Sequence, residues 1–219
     1  LYFLARMTYE KWSWTKVLDF VVSSALAGLS SLIMLLPMYL DLKSNNSDAL
    51  STLSGVFTEN SHLFDLFAKN FVGTYDTTQF NAIPMIYVGM MPLALAILFF
   101  FTKSIRLRSK FAFLGIIAFF VASFYLQALD LLWQGMHSPN MFLHRYAFLF
   151  SLLLVLMALE TLSRWEEIKT WHILTISLFL ITGFLATLIF GHYKYVMTSQ
   201  VMLTLLFGLA YLILSINSV

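Results

Sequence analysis

The stretch "FAFLGIIAFFVASFYLQAL", residues 111–129, decides the fold because it holds 19 residues without one charged side chain. About 20 apolar residues, at a helical rise of about 1.5 Å each, cross the roughly 30 Å hydrocarbon core of a bilayer. Lys110 directly precedes the stretch and Asp130 directly follows it, so the nearest charges stand at its two ends. The stretch is therefore predicted to be a transmembrane helix.

The composition extends this reading to the whole chain. Its 219 residues are 60% hydrophobic and only 11% charged, whereas a soluble domain carries about 25% charged residues. The opening "LYFLAR" is typical of the end of a further span, so the chain is predicted to be a piece of a larger protein. We predict an all-α, polytopic transmembrane helical bundle with about six spans, at residues 17–40, 83–101, 111–129, 146–162, 172–190 and 199–217.

The connection at residues 41–82 is the longest between predicted spans. Leu63, Phe64, Phe67 and Phe71 recur in it at helical spacing, with polar residues away from that stripe. A helix of this kind is predicted either to lie in the membrane interface or to pack on the ends of the bundle. In both cases the connection is structured.

The distribution of Lys and Arg predicts the orientation, since cytoplasmic loops carry an excess of both. Nine of them fall on one side, which is therefore predicted to be cytoplasmic: Arg6, Lys11, Lys16, Lys103, Arg106, Arg108, Lys110, Arg164 and Lys169. The other four are Lys43, Lys69, Arg145 and Lys194. The start and end of the chain are then cytoplasmic, and loops 41–82, 130–145 and 191–198 are extracytoplasmic.

Several classes of chemistry find no support in the sequence. The absence of cysteine excludes disulfides, iron–sulfur ligation and thiol catalysis within this chain. The five histidines show no HxxxH, HxH or HxxE spacing, so no metal site is predicted. No phosphate loop or dinucleotide fingerprint occurs. The net charge of +2 reflects the orientation asymmetry, so no nucleic-acid partner is predicted.

A lipid or small-molecule transporter, or flippase, is one alternative. Ionisable residues deep in a membrane mark such proteins, but Asp19 and Glu160 lie near span ends, and Arg164 follows Glu160 at helical pairing distance. Only the second span is interrupted, with Pro92 predicted to kink it. A non-catalytic membrane scaffold is the other alternative, in which outer polar residues matter for stability alone.

The connection "DLLWQGMHSPNMFLHR", residues 130–145, concentrates polar side chains between two spans. An arginine fork suits bidentate binding of phosphate, and at a bilayer surface phosphate means a lipid headgroup or a lipid-linked donor. The plainer interpretation pairs Arg145 with Asp130 or with headgroups in general.

Two motifs carry a family resemblance. The run "IYVGMMPL" (residues 86–93), followed after a basic turn by "GMHSPNMFLHRYAF" (residues 135–148), resembles the YfhO family of bacterial membrane proteins. The resemblance covers about Leu36 to Leu162. It implies part of a GT-C-type glycosyltransferase of the bacterial cytoplasmic membrane, which transfers a sugar from an undecaprenyl-phosphate carrier to an extracytoplasmic polymer such as lipoteichoic acid.

The resemblance also gives the polar residues expected roles. The leaving phosphate needs positive charge, so the donor phosphate is expected to bind Arg145, His144, His137 and Lys194. The sugar or acceptor is expected to contact Asp130, Asn140, Asp76 and Tyr75. No general base is assigned, because the family's catalytic carboxylate is expected outside this chain. No cofactor is identified, and a divalent metal stays open for the full-length protein.

Overall fold

The computed structural model describes residues 13–45, 55–58, 62–74, 84–134, 144–191, 193 and 196–217. Within these ranges the chain is all-α, as predicted, with one isolated β-bridge. A 3₁₀ turn lies at Trp165–Glu167. The helices are α1 (Trp14–Asn45), α2 (Asp65–Ala68), α3 (Met90–Leu98), α4 (Leu107–Tyr125), α5 (Gln127–Trp133), α6 (Ala147–Leu162), α7 (Thr170–Phe190) and α8 (Thr198–Asn217).

Four helices, α1, α4, α7 and α8, are long and apolar enough to cross a membrane, and α6 is a shorter apolar helix. Helix α1 differs from the others because none of its apolar window is buried against the rest of the chain. In α7 and α4 about a third of the window is buried, at 28% and 33%. The bundle is therefore built from α3 to α8, and α1 buries none of its apolar window against it.

The second predicted span, residues 83–101, is helical only in α3, at Met90–Leu98. Gly89, at φ 90° and ψ 154°, precedes the helix in a conformation that is essentially restricted to glycine. Pro92 lies in the first turn of α3, where its missing N–H would have had no helical partner. The predicted kink at Pro92 is therefore wrong, because this proline belongs to the start of a helix.

The third predicted span, residues 111–129, is helical in α4 and α5, which extend beyond its predicted ends. The helix is interrupted between them at Leu126. This residue is extended and pairs with Phe57 in the isolated bridge. Thr58 N–H donates to the Tyr125 carbonyl at 2.9 Å, and Gln127 N–H donates to the Val56 carbonyl at 3.1 Å. The distant segment 55–58 thus satisfies the backbone groups that the interruption releases. The interruption sets the direction of α5, which carries Asp130.

Two hydrophobic cores share α3. The first core lies between α3, α4 and α6 and includes Phe99, Phe113 and Met157, of which Phe99 is fully buried. The second core lies between α3, α7 and α8 and includes Leu95, Ile176 and Phe184. Because α3 contributes to both cores, it is the structural centre of the bundle, although it is one of its shortest helices.

Segment 62–74, which contains α2, packs against α7 and α8. The Phe71 ring is 1% exposed and lies 4.7 Å from the Phe184 ring, centroid to centroid. The Phe67 ring occupies the space in which a Cβ at Gly183 would stand. Val72 N–H donates to Thr204 Oγ1 at 2.9 Å. Of the two predicted placements, the structure therefore favours packing on the end of the bundle.

The opposite end of the bundle carries mostly surface charge. Arg164 and Glu160 form the ion pair that their spacing predicts, with 2.7 Å between Nη1 and Oε1. Glu167 accepts a hydrogen bond from Ser104 N–H at 2.9 Å, and hydrogen bonding to Ser104 holds the pKa of this carboxyl below its ordinary value. These contacts join the turns between helices, and such exposed pairs contribute about 0–1 kcal/mol each.

Candidate functional site

Asp130 is the centre of a buried polar network at one end of the bundle, which we name the Asp130 end. The residue is 7% exposed and lies in the first turn of α5. Its Oδ1 lies 2.8 Å from Nδ1 of His144 and 2.9 Å from the Tyr146 hydroxyl. Its Oδ2 accepts a hydrogen bond from Gln134 Nε2 at 2.9 Å. Three donors therefore surround one carboxylate, which compensates the cost of burying its charge.

Tyr146 is fixed by both its hydroxyl and its ring. The hydroxyl lies 2.7 Å from the Ser123 carbonyl as well as 2.9 Å from Asp130 Oδ1, so its one proton is shared between two acceptors. The ring is stacked on Phe124 at 5.5 Å and on Trp133 at 5.1 Å. Aromatic packing of this kind restricts the side chain to one rotamer. The network therefore has a rigid partner on the α6 side.

His144 combines burial with backbone strain. Its φ of 55° makes it the one non-glycine residue at positive φ within the described chain. The left-handed region is unfavourable for side chains with a Cβ, and such strain persists where surrounding contacts hold it. The imidazole is 6% exposed, and its Nδ1 is held by Asp130. In the described ranges its other nitrogen, Nε2, has no hydrogen bond.

The 144–146 turn separates buried from exposed groups. His144 and Tyr146 are buried, while Arg145 between them is exposed. Asp130 therefore pairs with His144, and the alternative in which Arg145 pairs with Asp130 is not what the structure shows. Of the eight predicted site residues, the structure brings Asp130 and His144 into contact, and Arg145 follows His144 in the chain on the exposed side of the turn. The other five lie outside the described residues: His137, Lys194, Asn140, Asp76 and Tyr75.

A second buried carboxylate, Asp65, was not predicted as a site residue. It is 3% exposed, and its Oδ1 accepts a hydrogen bond from the Tyr193 hydroxyl at 2.6 Å. Its Oδ2 accepts from His62 N–H at 2.7 Å. The His62 carbonyl in turn accepts from the Tyr125 hydroxyl at 3.0 Å. This cluster joins segment 62–74 to α4 and to the residues that follow α7.

The two carboxylates belong to one electrostatic environment. Burial raises the pKa of the Asp65 carboxyl above its ordinary value, and the hydrogen bonds from His62 and Tyr193 oppose that rise. A positive charge on His62 or His144, when that ring is protonated, opposes it as well. His144 is thus bonded to Asp130 and close enough to Asp65 to act on it. Nothing in the sequence indicated this, because 79 positions separate the two residues (144 minus 65).

The raised pKa of Asp65 predicts a pH-dependent stability. Because the folded state disfavours the charged carboxylate, protonated Asp65 stabilises the fold at pH values below its ordinary pKa of 3.8. This contribution to the free energy of unfolding is lost as the pH rises through the raised pKa of the folded state. Asp65→Asn removes this titration and one hydrogen bond worth about 1 kcal/mol. We expect the wild type to exceed the variant in melting temperature most near pH 4, and the difference to shrink toward pH 7.

Thermal denaturation of both proteins from pH 4 to pH 7 measures that difference. Asp19→Asn, on the exposed helix α1, is the control for removing one carboxylate. A difference between wild type and Asp65→Asn that grows with pH would contradict the expectation.

An apolar groove of about 390 Å³ lies between α3, α7 and α8. Its lining includes Met90, Leu98, Ile176, Phe184 and Leu212. Along α7 the lining runs from Ile173 to Phe184, which is about 16 Å at the helical rise, or half of the hydrocarbon core. Its end near Thr204 lies next to segment 62–74, because Thr204 accepts the Val72 N–H. The groove therefore has the length and lining that a hydrocarbon chain requires.

No group of three or more His, Asp or Glu side chains in the described residues is arranged to hold a metal ion. The carboxylates at the Asp130 end, which could have been metal ligands, are instead hydrogen-bonded to other protein groups. Both oxygens of Asp65 and both oxygens of Asp130 accept hydrogen bonds from protein groups. These hydrogen bonds hold both carboxylates in place within the protein.

Helices of spanning length, joined by short turns and packed on shared apolar cores, define a multi-pass helical membrane protein. The family model described as "Bacterial membrane protein YfhO" matches residues 1–219. The chain therefore belongs to the YfhO family of bacterial membrane proteins, which confirms the resemblance predicted from its motifs. No curated protein and no solved structure matches the chain.

Proposed function

We propose that this chain is part of a membrane glycosyltransferase that transfers a sugar from an undecaprenyl-phosphate-linked donor to lipoteichoic acid or a related polymer. The observation that carries the proposal is the buried Asp130–His144–Tyr146 network beside the exposed Arg145. In this proposal the Asp130 end is extracytoplasmic, which agrees with the distribution of Lys and Arg along the chain. Membership in the YfhO family supports it.

Two features divide the work of binding such a donor. Arg145 is positioned on a fixed turn, and its guanidinium suits a phosphate that gains negative charge as the sugar departs. The apolar groove between α3, α7 and α8 takes part of the polyprenyl tail. A tail buried in that groove holds its phosphate near the bilayer surface, where the acceptor polymer is found.

The transporter and scaffold alternatives differ from this proposal in what they require. A transporter needs polar groups that continue into the bundle, whereas the lining of the groove is almost entirely apolar apart from a few hydroxyl groups such as Ser177, Thr204 and Ser215. A scaffold needs only the stabilising contact between His144 and Asp130, and it gives the apolar groove no role. The enzyme accounts for both features.

Arg145→Ala in the full-length protein tests the proposal. Loss of the guanidinium should lower the sugar content of lipoteichoic acid at least about tenfold, since charge-assisted phosphate contacts contribute about 1.5–3 kcal/mol. Purified lipoteichoic acid is analysed by NMR, and membrane abundance of the variant is compared with that of the wild type.

The matched control is Arg164→Ala, which removes a cation at the opposite end of the bundle. It should leave the sugar content unchanged. If lipoteichoic acid is fully glycosylated while the Arg145→Ala variant is present at normal membrane abundance, Arg145 is not part of the site. If cells with the wild-type protein make lipoteichoic acid with no more sugar than cells without it, the proposed transferase activity is wrong.

A further inference from the structure

We infer that the apolar groove between α3, α7 and α8 selects the polyprenyl tail of the donor by its length and its methyl branches; this rests on the proposed function. The groove has a buried floor, which includes Leu95, Ile176 and Phe184. Its rim is exposed and includes Leu205 and Leu209. The groove is therefore open along its side, and in a membrane that side faces the hydrocarbon core, from which a lipid tail can enter.

The groove is bounded at both ends. Toward the Asp130 end its lining stops at Phe184 and Thr204, and we name this the near end of the groove. Phe71 packs on Phe184 there, and Val72 N–H donates to Thr204 Oγ1. At the far end the lining includes Trp165 of the 3₁₀ turn. A tail in the groove is therefore held between two fixed limits.

These limits determine which part of the tail the groove holds. Phe184 and Thr204 each lie six residues from the end of their helix (190 minus 184, and 204 minus 198), which is about 9 Å. An isoprene unit adds four carbon–carbon bonds of about 1.5 Å and extends a chain by roughly 4–5 Å. A phosphate at the level of the helix ends is thus joined to the groove by about two units, and the groove holds about the next three or four.

Two small residues in the lining leave room for methyl branches. Gly208 is four residues from Thr204, and Ser177 is seven residues from Phe184, so they lie about 6 Å and about 10 Å from the near end. A Cβ at Gly208 would meet Met90 Cε at 3.8 Å and no other atom of the described residues within 4 Å. The two recesses are therefore about 4–5 Å apart, which matches the spacing of successive methyl branches in an isoprenoid chain.

Packing is what distinguishes this tail from the surrounding lipid. A tail that leaves the bilayer for an apolar groove gains almost no hydrophobic free energy, because lipid tails are as apolar as the side chains of the lining. The gain comes from van der Waals contacts, which are lost wherever a recess stays empty. A straight acyl chain has no methyl branch to place at Gly208 or Ser177. The groove therefore favours an isoprenoid over a phospholipid acyl chain.

The experiment measures the Kd of the full-length protein in nanodiscs for four lipids with the same phosphate head. They are geranyl, hexaprenyl and undecaprenyl phosphate, and a saturated straight-chain alkyl phosphate as long as the hexaprenyl one. Each Kd is expressed per mole fraction of lipid in the membrane. Hexaprenyl and undecaprenyl phosphate should bind within about twofold of each other, because the groove is already filled. The straight chain should bind at least about threefold more weakly.

Gly208→Phe and Ser177→Phe each fill one recess, from α8 and from α7. Each should raise the Kd for hexaprenyl phosphate at least about tenfold and leave that for geranyl phosphate, whose tail ends before the groove, within about twofold. Partition of a lipid into the membrane is the same for every variant, so it cancels. The control is Ala210→Phe, at an exposed position about 200° around α8 from Gly208. Its Kd values and melting temperature should match those of the wild type.

Three results overturn the inference. If both phenylalanine variants bind hexaprenyl phosphate as the wild type does, something else occupies the groove, such as a phospholipid acyl chain. If they weaken geranyl phosphate equally, the added ring acts on the phosphate site or on the fold. If the straight chain binds as tightly as hexaprenyl phosphate, the branches are not recognised. Sugar transfer to lipoteichoic acid is measured separately: selection by tail length without any transfer would retain the groove assignment and reject the transferase.

Discussion

Asp130→Ala is expected to lose about 3–5 kcal/mol of folding free energy, because it removes the buried carboxylate that bonds His144, Tyr146 and Gln134. His144 and Tyr146 both lose contact with Oδ1, and Gln134 loses its contact with Oδ2. Each buried polar group left unbonded costs about 1–3 kcal/mol. Thermal denaturation of the purified protein, together with its abundance in the membrane, measures the loss.

Two comparisons make this expectation specific. Asp130→Asn keeps the volume and one acceptor oxygen, so its loss should be about half as large. Asp19→Ala removes an exposed carboxylate from α1 and should change the stability by less than about 0.5 kcal/mol. Equal melting temperatures for Asp130→Ala and Asp19→Ala would show that the network contributes nothing to folding.

Phe71→Ala is expected to destabilise the protein by about 3–5 kcal/mol, the range for removing a buried phenylalanine ring. Phe71 is 1% exposed and packs on Phe184 of α7 within the second core. Its loss also loosens segment 62–74, which carries Asp65. Hydrogen exchange of residues 62–74 should therefore accelerate more than exchange in α4.

Leu63→Ala is the matched control for this variant, because Leu63 is in the same segment but 83% exposed. Its effect should be below about 0.5 kcal/mol. A Phe71→Ala variant as stable as Leu63→Ala would mean that segment 62–74 does not depend on the second core.

The spans could be predicted from the sequence because a bilayer requires long, uncharged apolar runs, and residues 111–129 are such a run. The interruption at Leu126 could not. It contains neither proline nor glycine, and its cause is the pairing of Leu126 with the distant Phe57. The kink predicted at Pro92 was wrong because the position of the proline in its helix was not known. A proline inside a helix kinks it, whereas a proline in the first turn, where Pro92 lies, is favourable.

The candidate site could likewise be predicted from the sequence only in part. Asp130 and His144 could be predicted because they bound one polar connection between two apolar runs. Asp65 falls away from the apolar stripe predicted in residues 41–82, and only the tertiary contacts with Tyr193 and His62 make it a buried carboxylate. Burial of a polar residue is decided by which elements meet, and no local pattern records that.

Helix α1 contributes no described residue to either hydrophobic core. None of its apolar window is buried, so neither core loses a contact if α1 changes its neighbours. In evolutionary terms, α1 is free to vary in sequence or to acquire another helix as a partner while the bundle that carries Asp130 stays the same.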